Sequence, residues 1–155
     1  MTPATKLLKK QKIAFTVHEY THDKNSESYG LEAAEKMGVE HHLVFKTLVV
    51  VLDNGELVVA ILPVAKKLSM KLVAKIFSAK KAQMANTEDV LRSTGYVLGG
   101  VSPLGQKKRL KTVINSSAFE SETIFVSAGK RGLEVELDPL DLQKILQAKN
   151  NDICM

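Results

Sequence analysis

A chain of 155 residues with 45% hydrophobic and 25% charged side chains has the make-up of one soluble globular domain, able to bury roughly 70% of the surface its unfolded form exposes. Its 22 Lys and Arg against 17 Asp and Glu give a net charge of +5, which suits a polyanionic partner without requiring one. No apolar run approaches the ~20 residues of a membrane helix, the opening residues lack a signal-type apolar core, and the single Cys154 excludes an internal disulfide, so a reducing cytoplasm is the expected setting.

Thr2-Pro3 reads as a helix cap followed by a first helical residue, and Ala4, Leu7 and Leu8 give one apolar face to a helix running to about residue 12. Ile13, Phe15 and Val17 then alternate with Ala14, Thr16 and His18, the pattern of a half-buried strand that ends at Glu19-Tyr20. Residues 21–28 are polar and loop-like, a helix follows over 29–37, and Gly38 ends it. Val44-Phe45-Lys46-Thr47-Leu48-Val49-Val50-Val51 is an unbroken strand. Asp53-Asn54-Gly55 turns the chain back into an antiparallel strand over 56–62, closed by Pro63.

Ser69 caps a helix with Leu72, Val73 and Ile76 inward and Lys71 and Lys75 outward. A short strand at 82–85, a helix capped by Thr87, and strands at 96–98, 112–115, 123–127 and 133–137 lead to a last helix that Asp138-Pro139 starts. Helices and hairpins are interspersed without strict alternation, so residues 1–149 read as a single α+β domain with a mixed, curved or barrel-like β-sheet flanked by helices. Residues 150–155 read as a frayed tail.

Lys46 stands out because its strand offers no wet face: Val44, Leu48 and Val50 share its side, and Phe45, Thr47, Val49 and Val51 take the other. An unpaired buried lysine costs several kcal/mol. Either its stem snorkels to solvent, or the strand end opens into a polar cavity, or the lysine has a partner there. Gly99-Gly100-Val101-Ser102-Pro103-Leu104-Gly105 is a glycine-rich loop after a strand, in which backbone N–H groups can converge on an anion or a developing oxyanion; a wide turn is equally compatible. Gln106-Lys107-Lys108-Arg109 adds positive charge beside it. Ser127-Ala128-Gly129-Lys130-Arg131-Gly132 is a second glycine-rich, basic turn, and Ser127 faces the cavity of Lys46 if the two strand ends are neighbours.

Other chemistries lack their residues. There is no C-x-x-C or H-E-x-x-H, and the adjacent His41 and His42 point apart, so no metal is assigned. No G-x-S-x-G elbow occurs, Cys154 falls in the tail, and His18 is an ordinary half-exposed strand histidine. An enzyme made from this chain would work by positioning and charge, or through a lysine Schiff base.

Phe45-Lys46-Thr47, Ser93-Thr94-Gly95-Tyr96, the run from Gly99 to Arg109, and Gly129-Lys130-Arg131-Gly132-Leu133 together resemble the YbaK family of aminoacyl-tRNA editing domains. The motifs stand in the same order over nearly the whole chain, and the resemblance is greatest to free-standing bacterial deacylases of Cys-tRNA(Pro). It implies the editing-domain fold, no cofactor, and a reaction in which the substrate's own cysteine thiol attacks its ester carbonyl, releasing tRNA and a cyclic thiolactone. It further implies that Lys46 positions the terminal ribose and phosphate, and that backbone N–H groups around Gly99 and Gly100 hold the aminoacyl carbonyl. Tyr20, Tyr29, Thr47, Tyr96, Ser127 and Glu134 would line the pocket. A basic track of Lys66, Lys67, Lys71, Lys107, Lys108, Arg109, Lys130 and Arg131 would receive the tRNA, and prolyl-tRNA synthetase would be the partner. Ala128 stands where a glycine is frequent in the family, and Glu134 where an aspartate is frequent. Two other readings are an Ala-tRNA(Pro) deacylase that uses external water, and a non-catalytic tRNA-binding module whose glycine loop holds a phosphate.

Overall fold

A computed structural model describes residues 1–25 and 29–155; of the expected loop over 21–28, Ser26, Glu27 and Ser28 lie outside the described residues. Helix α1 (Pro3–Lys10) starts where Thr2 and Thr5 cap each other reciprocally, each hydroxyl accepting the other's backbone N–H. It ends before residue 12, where Lys12 takes a positive φ. Strand β1 (Thr16–Glu19) and helix α2 (Tyr29–Met37) follow, with Gly38 left-handed after the helix as expected. Strands β2 (Phe45–Leu52) and β3 (Leu57–Pro63) form the hairpin. Helix α3 (Met70–Ile76) is capped by Ser69 as expected. Strand β4 (Ala82–Met84) leads to α4 (Thr87–Thr94), whose cap is Asn86 rather than Thr87. Strands β5 (Lys111–Asn115), β6 (Ile124–Lys130) and β7 (Leu133–Leu137), helix α5 (Pro139–Leu146) and strand β8 (Lys149–Asn151) complete the chain.

The strands form two sheets. One is antiparallel in the order β1-β7-β6; the other is mixed, β4-β2-β3-β5-β8, with β5 and β8 parallel to their neighbours. Neither closes into a barrel. Phe45, Val59, Ile61 and Ile114 from the mixed sheet pack with Ile124, Val126, Val135 and Leu137 from the antiparallel one, and Ala4, Leu8 and Leu142 complete this core. On the other face of the mixed sheet, Val50, Leu52, Ala60 and Leu62 pack with Val73 of α3 and Ile153.

Two expectations are corrected. Residues 96–98 form no strand: Gly95 ends α4 in the left-handed conformation, and Val97 and Leu98 are 62% and 48% exposed with no ladder partner. The glycine loop therefore follows a helix. The C-terminal residues are not frayed either. β8 pairs with β5, Ile153 is fully buried, its N–H donates to Asn115 Oδ1 at 3.0 Å and its C=O accepts from Ser69 N–H at 2.7 Å. The polar run Asn150-Asn151-Asp152 hides this, because the partners of the segment lie far away in sequence. Ile153→Ala is accordingly expected to cost about 2–4 kcal/mol in urea unfolding; a change within about 0.5 kcal/mol, as for an exposed tail, would contradict it.

Candidate functional site

The site begins as an interruption in the hydrogen bonding of β2. Bonds from Val64 N–H to Val44 C=O (2.9 Å) and from Leu52 N–H to Glu56 C=O (2.8 Å) show that its even-numbered residues bond to β3. Its odd-numbered residues therefore present N–H and C=O at the opposite edge. There Val51 pairs with Gln83 of β4, and Val49 C=O accepts from Ala85 N–H at 3.0 Å, after which the chain turns into α4. At the other end Val44 bridges Phe125 of β6. Thr47 falls in the interval. Its Oγ1 is buried without a hydrogen-bond partner among the described residues. A cavity of about 300 Å³ opens at this point, lined by Lys46, Thr47, Tyr20, Tyr29, Gly99, Ser127 and Glu134 among others.

Lys46 is half-buried, and among the described residues its Nζ reaches only the Val64 carbonyl, at 3.4 Å. Burial lowers its pKa, with the nearby Cys154 thiol pushing the other way. No carboxylate forms an ion pair with it among the described residues, so the ammonium faces the cavity largely uncompensated. Across the cavity, Glu134 sits on β7 between its cross-strand neighbours Ser127 and His18. It is 6% exposed, its carboxyl makes no hydrogen bond among the described residues, and burial pushes that carboxyl up to about 8. Tyr20, just after β1, is raised to about 12, first by burial and then by the charge of Glu134. Ser127 Oγ accepts the Gly129 N–H at 3.1 Å, which holds its hydroxyl within the bulge of β6.

The glycine loop supplies less than expected. Gly99 lines the cavity with φ +86°, and its N–H has no acceptor among the described residues. Gly100 N–H, however, donates to Val97 C=O at 3.0 Å, closing the turn, and a Cβ there would lie 3.2 Å from Lys130 Cα. Gly100 thus serves close packing, and one donor remains where two were expected. Tyr96 also lies outside the cavity lining: it is buried in the core, its hydroxyl donates to Leu104 C=O at 2.6 Å, and Gly129 packs against its ring.

The basic residues expected to form one track are distributed over several surfaces. Lys66, with Lys46, lies close enough to Cys154 for its charge to act on that thiol, and the Lys67 carbonyl accepts the Met155 N–H. Lys71 lines a second cavity of about 440 Å³ with Lys80 and Lys81. Lys107, Lys108 and Arg109 line a third with Leu7 and Ile145. Lys130 and Arg131 border a fourth with Thr2 and Tyr20, and the Arg131 guanidinium also sits 4.1 Å from the centroid of the Tyr29 ring.

Three contributors escape sequence reasoning. Gly30 lets α2 lie against Val64, since a Cβ there would overlap that side chain; Val64 in turn supplies the carbonyl that Lys46 reaches. Cys154 is brought beside Lys46 by the ordered C-terminal segment. Only the glycine beside Tyr29 left a local sign, a small residue early in a helix.

Residues 25–145 match the model of the aminoacyl-tRNA editing domain. A protein of Enterococcus faecalis provisionally named Cys-tRNA(Pro)/Cys-tRNA(Cys) deacylase EbsC is 36% identical over 138 residues, 89% of this chain and 84% of that one. The uncharacterised protein YwhH of Bacillus subtilis is 27% identical over 118 residues, covering 76% and 74% of the two chains. Among solved structures, one described as a candidate trans-editing enzyme for prolyl-tRNA synthetase superposes with a TM-score of 0.87 at 19% identity, over 99% of this chain and 95% of the other. With the match spanning most of the sequence and a relative this similar, the chain belongs to the aminoacyl-tRNA editing domain family.

Proposed function

We propose that this protein is a trans-editing deacylase that removes cysteine from mischarged Cys-tRNA(Pro), with prolyl-tRNA synthetase supplying the choice of tRNA. The observation that carries this reading is the content of the cavity: among the described residues, a half-buried ammonium has no counter-ion, a buried hydroxyl and a buried carboxyl have no hydrogen-bond partner, and no Ser-His or Cys-His relay is formed. Such a site holds and polarises a substrate but supplies no attacking group. The name of the Enterococcus relative supports the choice of substrate.

In the proposed reaction the substrate thiol, as its thiolate, attacks the ester carbonyl, the bond from that carbon to the ribose oxygen breaks, and the thiol proton ends on the departing ribose hydroxyl. Tethering the nucleophile to the electrophile removes most of the entropy of a bimolecular step. Lys46 favours the thiolate and neutralises charge near the leaving oxygen, and the Gly99 N–H serves the developing oxyanion. Glu134 and Thr47 receive the α-ammonium group. The basic residues around the cavities other than Arg131 contact phosphates, which reads charge rather than sequence.

A panel of Cys-, Ala- and Ser-tRNA(Pro), with the released product identified, tests the reading. Thiolactone from Cys-tRNA and slow or absent release of alanine and serine are expected. Cleavage of Ala-tRNA as fast as Cys-tRNA would overturn the self-attack mechanism, and binding without cleavage of any of them would overturn the activity.

A further inference from the structure

The surface next to the cavity holds an exposed arginine that is already engaged by two neighbouring segments. Arg131, at the tip of the β6–β7 hairpin, stacks its guanidinium on Tyr29 of α2, 4.1 Å from the ring centroid, and its Nη2 donates to Leu98 C=O at 2.9 Å. Gly99 lies directly beneath it: a Cβ there would fall far inside contact distance of Arg131 Nε and 2.9 Å from Tyr29 Cε2. One side chain therefore ties together three segments remote in sequence, at residues 29, 98–99 and 131.

Tyr29 is itself held from behind. The His22 ring lies 5.5 Å from it, His22 Nδ1 is 2.6 Å from Glu32 Oε1, and the other Glu32 oxygen accepts the Asp23 N–H at 2.8 Å. Glu32 is buried on α2, within 3.5 Å of Lys36 Nζ. The loop on the other side has little support of its own. Val97 and Leu98 are exposed and belong to no strand ladder, and the turn's internal hydrogen bond runs from Gly100 N–H to Val97 C=O.

We infer that Arg131 is a positioning residue that clamps the glycine loop, so that the Gly99 N–H points into the cavity, rather than a contact to tRNA phosphate. The inference rests on the deacylase reading for its effect on rate, but not for its effect on structure. Misplacing a catalytic donor by 1 Å costs on the order of 10²-fold. A guanidinium can stack on a ring and donate in its own plane at the same time, which an ammonium cannot do.

Kinetics with Cys-tRNA(Pro) separate the two roles. Arg131→Ala is expected to lower kcat by about 10- to 100-fold with KM within about threefold and an unchanged slope of log affinity against log salt. Arg131→Lys should behave like the alanine variant despite keeping its charge. A raised KM with intact kcat and a slope reduced by about one, rescued by lysine, is the signature of a phosphate contact and would overturn the clamp. A second measurement needs no activity. Gly99→Ala introduces backbone strain and collisions with Arg131 and Tyr29, and of these only the collision with Arg131 disappears in the Arg131→Ala background. The drop in melting temperature caused by Gly99→Ala should therefore be smaller in that background; strictly additive drops would overturn the clamp. If the wild-type protein cleaves no aminoacyl-tRNA, the deacylase reading fails, and this cycle alone decides the clamp.

Discussion

Lys46→Ala is expected to abolish measurable release of cysteine from Cys-tRNA(Pro), a loss on the order of 10²–10³-fold for one charge-stabilising group, while the protein stays folded. The two halves of this expectation have the same cause. Among the described residues Lys46 has no carboxylate partner and reaches only a backbone carbonyl at 3.4 Å, so the folded protein bears the cost of partly desolvating its charge without a compensating ion pair there. Truncating it relieves that cost, and the melting temperature should hold or rise. A structural lysine would behave in the opposite way, losing stability and retaining activity. Lys46→Met, which keeps most of the stem, separates lost charge from lost packing and should be as inactive as the alanine variant. Cys154→Ala should retain activity, because the attacking thiol belongs to the substrate although the Cys154 thiol lies near Lys46. Undiminished deacylation by Lys46→Ala would end the proposed mechanism.

Glu134→Gln is expected to flatten the dependence of stability on pH between about 4.5 and 8. Burial raises the Glu134 carboxyl to about 8, so the folded state keeps its proton where the unfolded chain has lost it. The sign follows from linkage: the stabilising contribution is complete below the unfolded pKa and is lost as pH rises through the folded one. The loss amounts to a few kcal/mol, roughly 1.4 kcal/mol for each tenfold change in proton affinity. Glu32 and Glu136 are shifted the other way by hydrogen bonds and histidine neighbours, and what they contribute is lost at lower pH, as it falls through their folded values. Melting curves across this range would show a downward slope in the wild type that the glutamine variant lacks.

The same group links pH to substrate binding. An ammonium entering beside Glu134 favours its ionised form, so kcat/KM should climb toward pH 8 more steeply in the wild type than in Glu134→Gln, where only the rise due to the substrate thiol remains. Persistence of the same limb in the variant would place the titrating group elsewhere.

Much of this site was legible residue by residue. The unbroken β2 with one lysine, the Asp53-Asn54-Gly55 turn, Ser69 and Asp138 as helix caps, and Gly38 as a helix end all rest on side-chain patterns and capping groups within a few positions of one another. Those signals suffice because secondary structure here is set by local geometry. The family resemblance drew Tyr20, Tyr29, Thr47, Ser127 and Glu134 into one pocket, and all five line the cavity with Lys46 and Gly99.

Tyr96, Gly100 and the tail were misread for one reason: the partner that defines each is remote. Tyr96 spends its hydroxyl on Leu104, Gly100 packs against Lys130, and Ile153 is held by Asn115 and Ser69. The basic residues read as one track line different cavities, because Lys71, the run from Lys107 to Arg109, and Lys130 with Arg131 lie far apart in sequence and the fold sets them on different surfaces. The sequence by itself determined that Lys46 is a lone cation set in an apolar strand. Only the tertiary structure decided what lies beside it, since the exposed edge at Thr47 exists because β4 stops short and β6 meets β2 only at its start. Hydrogen bonds between strands join residues tens of positions apart, and where such a ladder ends is a property of the packing of whole elements rather than of any local run of residues.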